Sequence, residues 1–204
     1  MSTVIRVLLA EDEHLIRESL AALLALEIDL EVVAQAATGD EAVTAARRHH
    51  PDVAVLDLQM PGTDGISAAR AVIAHDSDCK TLIVTSHGLP GHLKRALEAG
   101  IKGFVPKTVS AAQLATVIRT IHHGHRYIDP TLAADAIAAG DSPLSAREAD
   151  ILALAADGAT VSEIAHRAAL APGTVRNYLS QAVAKIGAPN RHSAAHVARS
   201  HGWI

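Results

Sequence analysis

This 204-residue sequence predicts a doubly wound α/β unit, built on a five-stranded parallel sheet, followed by an all-α unit of four helices. Three observations predict it. Short runs rich in Val, Ile and Leu alternate with helical patterns over residues 1–123. Polar residues close those runs where a parallel sheet would bring them together. From Pro143 onward the pattern is wholly helical.

The strand-forming runs are VIRVLLA (4–10), EVVAQA (31–36), DVAVLDL (52–58), KTLIVTS (80–86) and KGFV (102–105). They are short, apolar and β-branched, as strands buried on both faces are. Helical patterns fill 13–26, 39–49, 64–75, 89–98 and 110–123. Thr38-Gly39-Asp40-Glu41 and Thr63-Asp64 supply helix starts, and Gly100 and Gly124 supply stops. Five βα units joined by right-handed crossovers give a parallel sheet with helices on both faces. In that architecture ligands bind at the C-terminal strand ends.

About half the residues are hydrophobic but only 2% are aromatic, so the cores rest on Ala, Leu, Val and Ile. Charge is uneven along the chain. Residues 1–123 hold 11 basic and 15 acidic side chains, whereas 143–204 hold 6 and 4, which suggests different partners for the two parts. Cys79 is the only cysteine, which excludes an intrachain disulfide and a cysteine zinc cluster. The opening apolar run is interrupted by Arg6 and is too short for a signal peptide or membrane span. A soluble, cytoplasmic protein with no membrane partner is expected.

The stretch VAVLDLQMPGTDG (53–65) ends a buried-type strand on Asp57. Alone, such an acid reads as a solvated strand end. It is not alone. The first strand ends at Glu11 and Asp12, the fourth at Thr85 and Ser86, and the fifth near Lys107. Packed carboxylates repel without a cation, and an oxygen-only cluster suits Mg²⁺. Asp57 could then attack a phosphoryl group as a carboxylate nucleophile, with Lys107 neutralising the transferred charge and Thr85 donating to it.

Glu11-Asp12, LDLQMPGTDG, IVTS and GFVPK together resemble the signature of two-component receiver domains, over residues 4–123. That resemblance implies a flavodoxin-like (CheY-like) fold with Asp57 as phosphoacceptor. It also implies a Mg²⁺ site of Glu11, Asp12, Asp57 and the backbone carbonyl of Gln59. Thr85, with Ser86 beside it, and Lys107 match the switch hydroxyl and phosphate-binding lysine, and Phe104 the aromatic whose rotation reports phosphorylation. Gln59 and His87 match positions that tune dephosphorylation. Glu11 stands where many members carry Asp, a common variation.

Residues 124–142 read as a linker with a short helix at 130–138. The histidines of HHGH (122–125) read as solvated. Beyond the linker, LSAREADILALAADG starts with a capping box of Ser145 and Glu148. TVSEIAHRAAL, APGTVRNYLSQAVAKIG and NRHSAAHVARSHGW follow. Two short helices joined by a tight turn fit helix-turn-helix recognition of DNA. A four-helix protein-interaction module fits the same spacing.

Residues 143–204 resemble the LuxR/NarL-type helix-turn-helix through Glu148, Gly158, Glu163-Ile164-Ala165, Thr174-Val175, Lys185 and Arg191. Val161, Ala171 and Tyr178 depart from the usual Asn, Ser and His. Losing Ser at 171 removes a cap of about 1 kcal/mol, although Pro172 suits the first helical position. TVRNYLS resembles the branch that includes the desaturase regulator DesR, which implies control of membrane-lipid genes. In the expected recognition helix, 172–186, Val175, Leu179, Val183 and Ile186 form the buried stripe. Arg176 and Asn177 are the expected base readers, with Ser180 on the same arc, and Thr174, Lys185 and Arg191 the expected phosphate contacts.

The expected function is that of a response regulator of the NarL/FixJ type. A cognate histidine kinase phosphorylates it, and phosphorylation promotes a homodimer that binds promoter half-sites in double-stranded DNA. The resemblance assigns dimer contacts to 13–26, 110–123 and 192–200. The expected domains are 1–123, a linker of 124–142, and 143–204. No enzyme is expected. A haloacid-dehalogenase-type phosphatase would carry an acid two residues after its nucleophile, where this chain has Gln59. A dinucleotide-binding turn would be glycine-rich, and this one is AEDEHL. The full acid, Thr and Lys set argues against a receiver that serves only for phosphorylation-independent dimerisation.

Overall fold

The computed structural model describes residues 4–86, 88–140 and 142–204. In chain order the elements are β1 (Ile5–Ala10), α1 (His14–Leu24), β2 (Leu30–Ala36), α2 (Gly39–His49), β3 (Val53–Asp57), α3 (Gly65–His75), β4 (Lys80–Thr85) and α4 (Pro90–Glu98). There follow β5 (Gly103–Pro106), α5 (Ala111–His122), β6 (Tyr127–Ile128), α6 (Pro130–Ala138), α7 (Ala146–Ala156), α8 (Val161–Ala168), α9 (Pro172–Ile186) and α10 (Arg191–His201). They form two compact units, Met1–Gly88 with Arg95–Ala133, and Leu89–Lys94 with Ala134–Ile204.

The sheet runs β2-β1-β3-β4-β5-β6, and every pairing is parallel. The chain leaves β1 toward β2 and returns on its other side to β3, so the topological switch lies between β1 and β3. Crevices at such a switch are where this architecture holds ligands. β3 is buried along its whole length. Val7, Val53, Val55, Leu82 and Val105 form a core with the inward stripe of α5: Leu114, Ala115, Val117, Ile118 and Ile121. Cys79 lies buried, and burial pushes its thiol up to about 12, so it stays un-ionised at neutral pH.

Among the described residues the sheet has six strands, not the expected five. Tyr127 and Ile128, inside the stretch expected to be a linker, pair with Gly103 and Phe104. Tyr127 N–H donates to the Lys102 carbonyl at 3.0 Å, and Asp129 N–H to the Phe104 carbonyl at 2.9 Å. A two-residue strand carries no alternation that a sequence could display. The short helix expected at 130–138 is α6, started by Asp129, whose carboxylate accepts from the Thr131 and Leu132 N–H groups.

The second unit packs α7 to α10 around Ile151, Leu152, Ile164, Val175, Leu179, Ala182, Ala194 and Ala198. The expected capping box opens α7, and Thr160 with Glu163 makes a second one at α8. α9 starts at Ala171 without a side-chain cap and with Pro172 in its first turn, as the sequence implied. Its buried face is Val175, Leu179 and Ala182; Val183 and Ile186 are only partly buried. Trp203 packs against this core and stacks on His201, with ring centroids 4.6 Å apart.

Candidate functional site

Glu11 and Asp12 directly follow β1, and Asp57 closes the neighbouring strand β3. Carboxylate oxygens of the three lie within 4.8 Å of one another. Glu11 and Asp57 are buried, at 2% and 4% exposure, while Asp12 faces solvent. Parallel pairing of β1 with β3 puts these strand ends side by side, and a glycine lets the start of α3 lie close against the backbone of Asp57. A Cβ on Gly65 would meet the Asp57 carbonyl oxygen at 2.1 Å, and the Gly65 N–H instead donates to the Leu58 carbonyl at 3.0 Å.

Lys107, just past β5, reaches over both buried acids. Its ammonium lies 2.8 Å from Glu11 Oε2 and 3.0 Å from Asp57 Oδ2. Burial raises the Glu11 and Asp57 carboxyls above their ordinary values, against the opposing pull of their bonds to Lys107. For Lys107 burial works downward, but the bonds to Glu11 and Asp57 outweigh it and raise the ammonium. Two carboxylates sharing one cation leave negative charge in excess, and the donor set is oxygen alone. That chemistry fits a hard divalent cation such as Mg²⁺. The Gln59 backbone N–H bonds to the Asp57 carboxylate, and the Gln59 side chain is exposed.

Thr85 is buried at the end of β4, its carbonyl accepting the Lys107 N–H at 2.8 Å, and Ser86 beyond it is exposed. Phe104 is buried within β5, paired with Ile83 on one side and Ile128 on the other. Glu11, Asp12, Asp57, Thr85 and Lys107 thus come to one edge of the sheet. His87 lies outside the described residues.

In the second unit, Arg176, Asn177 and Ser180 are exposed on α9, and Thr174 and Arg191 are half-buried. The Thr174 N–H donates to the Ala171 carbonyl at 3.0 Å, the Val175 N–H does so at 3.2 Å, and Pro172 has none. A phosphate at this helix start would therefore meet the Thr174 hydroxyl and the Gly173 N–H, fewer backbone donors than a free helix N-terminus offers. Lys185 has a protein partner that its sequence position does not announce: its ammonium lies 2.7 Å from Glu148 Oε2. Gln181 was not singled out from the sequence, yet it is exposed one helical turn beyond Asn177.

An acid-and-lysine cluster at the switch of a doubly wound sheet, on a chain that continues into a helix-turn-helix, defines the class of two-component response regulators. The chain belongs to that family: residues 7–119 match the response regulator receiver domain, and 142–198 match the LuxR family of bacterial regulatory proteins. It is 38% identical over 200 residues to the transcriptional regulatory protein DesR of Bacillus subtilis, covering 98% of this chain and 99% of that one. Response regulator ChrA of a heme-sensing two-component system is 30% identical, with a TM-score of 0.60 and the whole of both chains covered. The response regulator RcsB in complex with DNA shares the fold, at 22% identity and a TM-score of 0.70, over 97% of this chain and 99% of that one. The family is one of transcription regulators. Among the described residues no helix is long and apolar enough to cross a membrane.

Proposed function

We propose that Asp57 accepts a phosphoryl group from a partner histidine kinase, and that aspartyl phosphate favours a dimer that reads promoter DNA through α9. The observation that carries this reading is Asp57 itself: nearly buried, within 4.8 Å of the Glu11 and Asp12 oxygens and 3.0 Å from the Lys107 ammonium. An Asp57 oxygen attacks phosphorus as the bond to the donor nitrogen breaks. Glu11, Asp12, Asp57 and the Gln59 carbonyl would hold Mg²⁺, which when bound offsets charge on the phosphoryl oxygens. The Thr85 hydroxyl donates to one such oxygen, and the Lys107 ammonium moves its bonds from the acids to the incoming phosphoryl group. Phe104 follows Thr85 as the aromatic of the switch, and Gln59 and His87 govern the approach of water.

In the tail, Asn177 reads base edges with Arg176 and Ser180 beside it, while Thr174, Lys185 and Arg191 contact phosphates. An ammonium has three N–H donors, so Lys185 can hold Glu148 and a phosphate together. The domain bounds proposed for this division of labour are 1–123 and 143–204, and the compartment is the cytoplasm.

Intact-mass measurement after incubation with acetyl phosphate tests the site. Wild type gains one phosphoryl group with Mg²⁺ and none with EDTA, and Asp57→Asn gains none. Equal uptake by Asp57→Asn would show the acceptor to be elsewhere.

A further inference from the structure

We infer that Gln181 is a base-reading residue of α9 and that, with Asn177, it directs the half-site toward adenine. The inference rests on α9 being the DNA-reading helix. Val175, Leu179 and Ala182 fix which side of α9 is inward. At about 100° per residue, the direction opposite them falls between Asn177 and Ala184, with Gly173 about 30° away. Ser180 and Gln181 flank this line at about 50° on either side, whereas Arg176 and Lys185 stand near 90°, at the two borders of the exposed face. The arc that enters a groove most deeply thus holds a glycine, an alanine, a serine and two carboxamides, and no cation. Asn177 and Gln181 are both exposed, and among the described residues no hydrogen bond or ion pair engages either amide.

Composition of that arc selects a base. Arg and Lys read guanine through O6 and N7; here Arg176 reaches base edges only from one border of the exposed face, and Lys185, at the other border, runs toward phosphates. Asn and Gln present an acceptor and a donor that match adenine N6 and N7 in the major groove. The missing side chain of Gly173 and the methyl of Ala184 allow close approach, and the methyl can meet a thymine methyl. Residues four apart lie on one face, about 6 Å apart along the axis, so the two amides reach adenines about two base-pair steps apart.

Selection of duplexes from a randomised library by the full chain, treated with beryllofluoride and Mg²⁺, tests this. Wild type enriches half-sites with two adenine columns about two steps apart. Gln181→Ala loses one column and Asn177→Ala the other, with melting temperatures unchanged because both side chains are exposed. Replacing the Gln181-dependent adenine by 7-deazaadenine, which lacks the N7 acceptor, weakens wild type but not Gln181→Ala. Gln181→Ala, which removes the whole bidentate pair, is expected to lose roughly 5- to 150-fold, equivalent to about 1–3 kcal/mol, and the 7-deaza base part of that. An unchanged motif and affinity for Gln181→Ala, or a Gln181-dependent column that selects G, overturns the inference while leaving DNA reading by α9 intact. A wild type that takes up phosphate yet enriches no sequence overturns the DNA reading, and this inference with it.

Discussion

Lys185 and Glu148 stand 37 residues apart in the chain and 2.7 Å apart in space. One carboxylate oxygen, Glu148 Oε2, accepts both the Lys185 ammonium and the Ser145 N–H at 2.7 Å, so a single buried atom caps α7 and ties it to α9. Those two bonds, Lys185 first, hold the Glu148 carboxyl below its usual value. A depressed carboxyl stabilises the fold fully above the unfolded value of about 4.3, and the contribution is lost as pH falls through the lower folded value. Melting of the helical unit should therefore weaken below about pH 4, and Glu148→Gln should be less stable at neutral pH with a flatter acid limb. Lys185→Ala should cost about 1–3 kcal/mol, between an exposed pair and a buried one, because the lysine is half-exposed. Thermal melts across that pH range check both variants; an unchanged melting temperature for Lys185→Ala would show that the tie holds nothing. The sequence displayed Glu148 as a capping residue and a match to the family pattern but not its bond to Lys185, since the pattern of one helix does not say which face of another it meets. Asp57 and its neighbours were legible for the opposite reason: parallel strands force their C-terminal residues together.

β6 shows what an element of two residues can do. Its pairing covers the outer side of β5, the strand that carries Phe104 and leads into Lys107. An uncovered strand edge exposes a row of unpaired backbone groups. Tyr127→Pro removes the N–H bonded to the Lys102 carbonyl, which should lower receiver stability by about 1 kcal/mol or more. The Asp129 amide, bonded to the Phe104 carbonyl, should then exchange faster. Urea unfolding and amide exchange measure the two effects, and unchanged protection at Asp129 would mean that β6 does not fasten the edge. Longer elements were legible because their periodicity repeats: α5 falls within the expected 110–123, and α9 spans the expected 172–186. Within α9 the expected stripe passed over Ala182, which packs at 0% exposure. A methyl allows the closest approach of neighbouring helices, yet a hydrophobicity pattern gives it little weight.

At the scale of the molecule, one recognition helix is too little. α9 has 15 residues, about 22 Å of helix, and would contact only a few base pairs. Two copies on half-sites about 10 base pairs apart, centre to centre, supply the missing contacts through a two-fold axis. The receiver unit offers apolar surface for such pairing: Leu15 and Leu23 of α1 are exposed at 77% and 45%, and Leu26 and Ile28 beyond it at 80% and 99%. Sedimentation at micromolar concentration should show a dimer with beryllofluoride and a shift toward monomer without it. A monomer in both states would remove phosphorylation-driven pairing from the mechanism.

Trp203, stacked on His201 against the helical core, is the only tryptophan of the chain. Emission excited at the red edge of protein absorption therefore originates in the DNA-binding unit alone, and the receiver is dark. A change in that signal when Asp57 is phosphorylated would be a message received at the other unit, seen with no label attached.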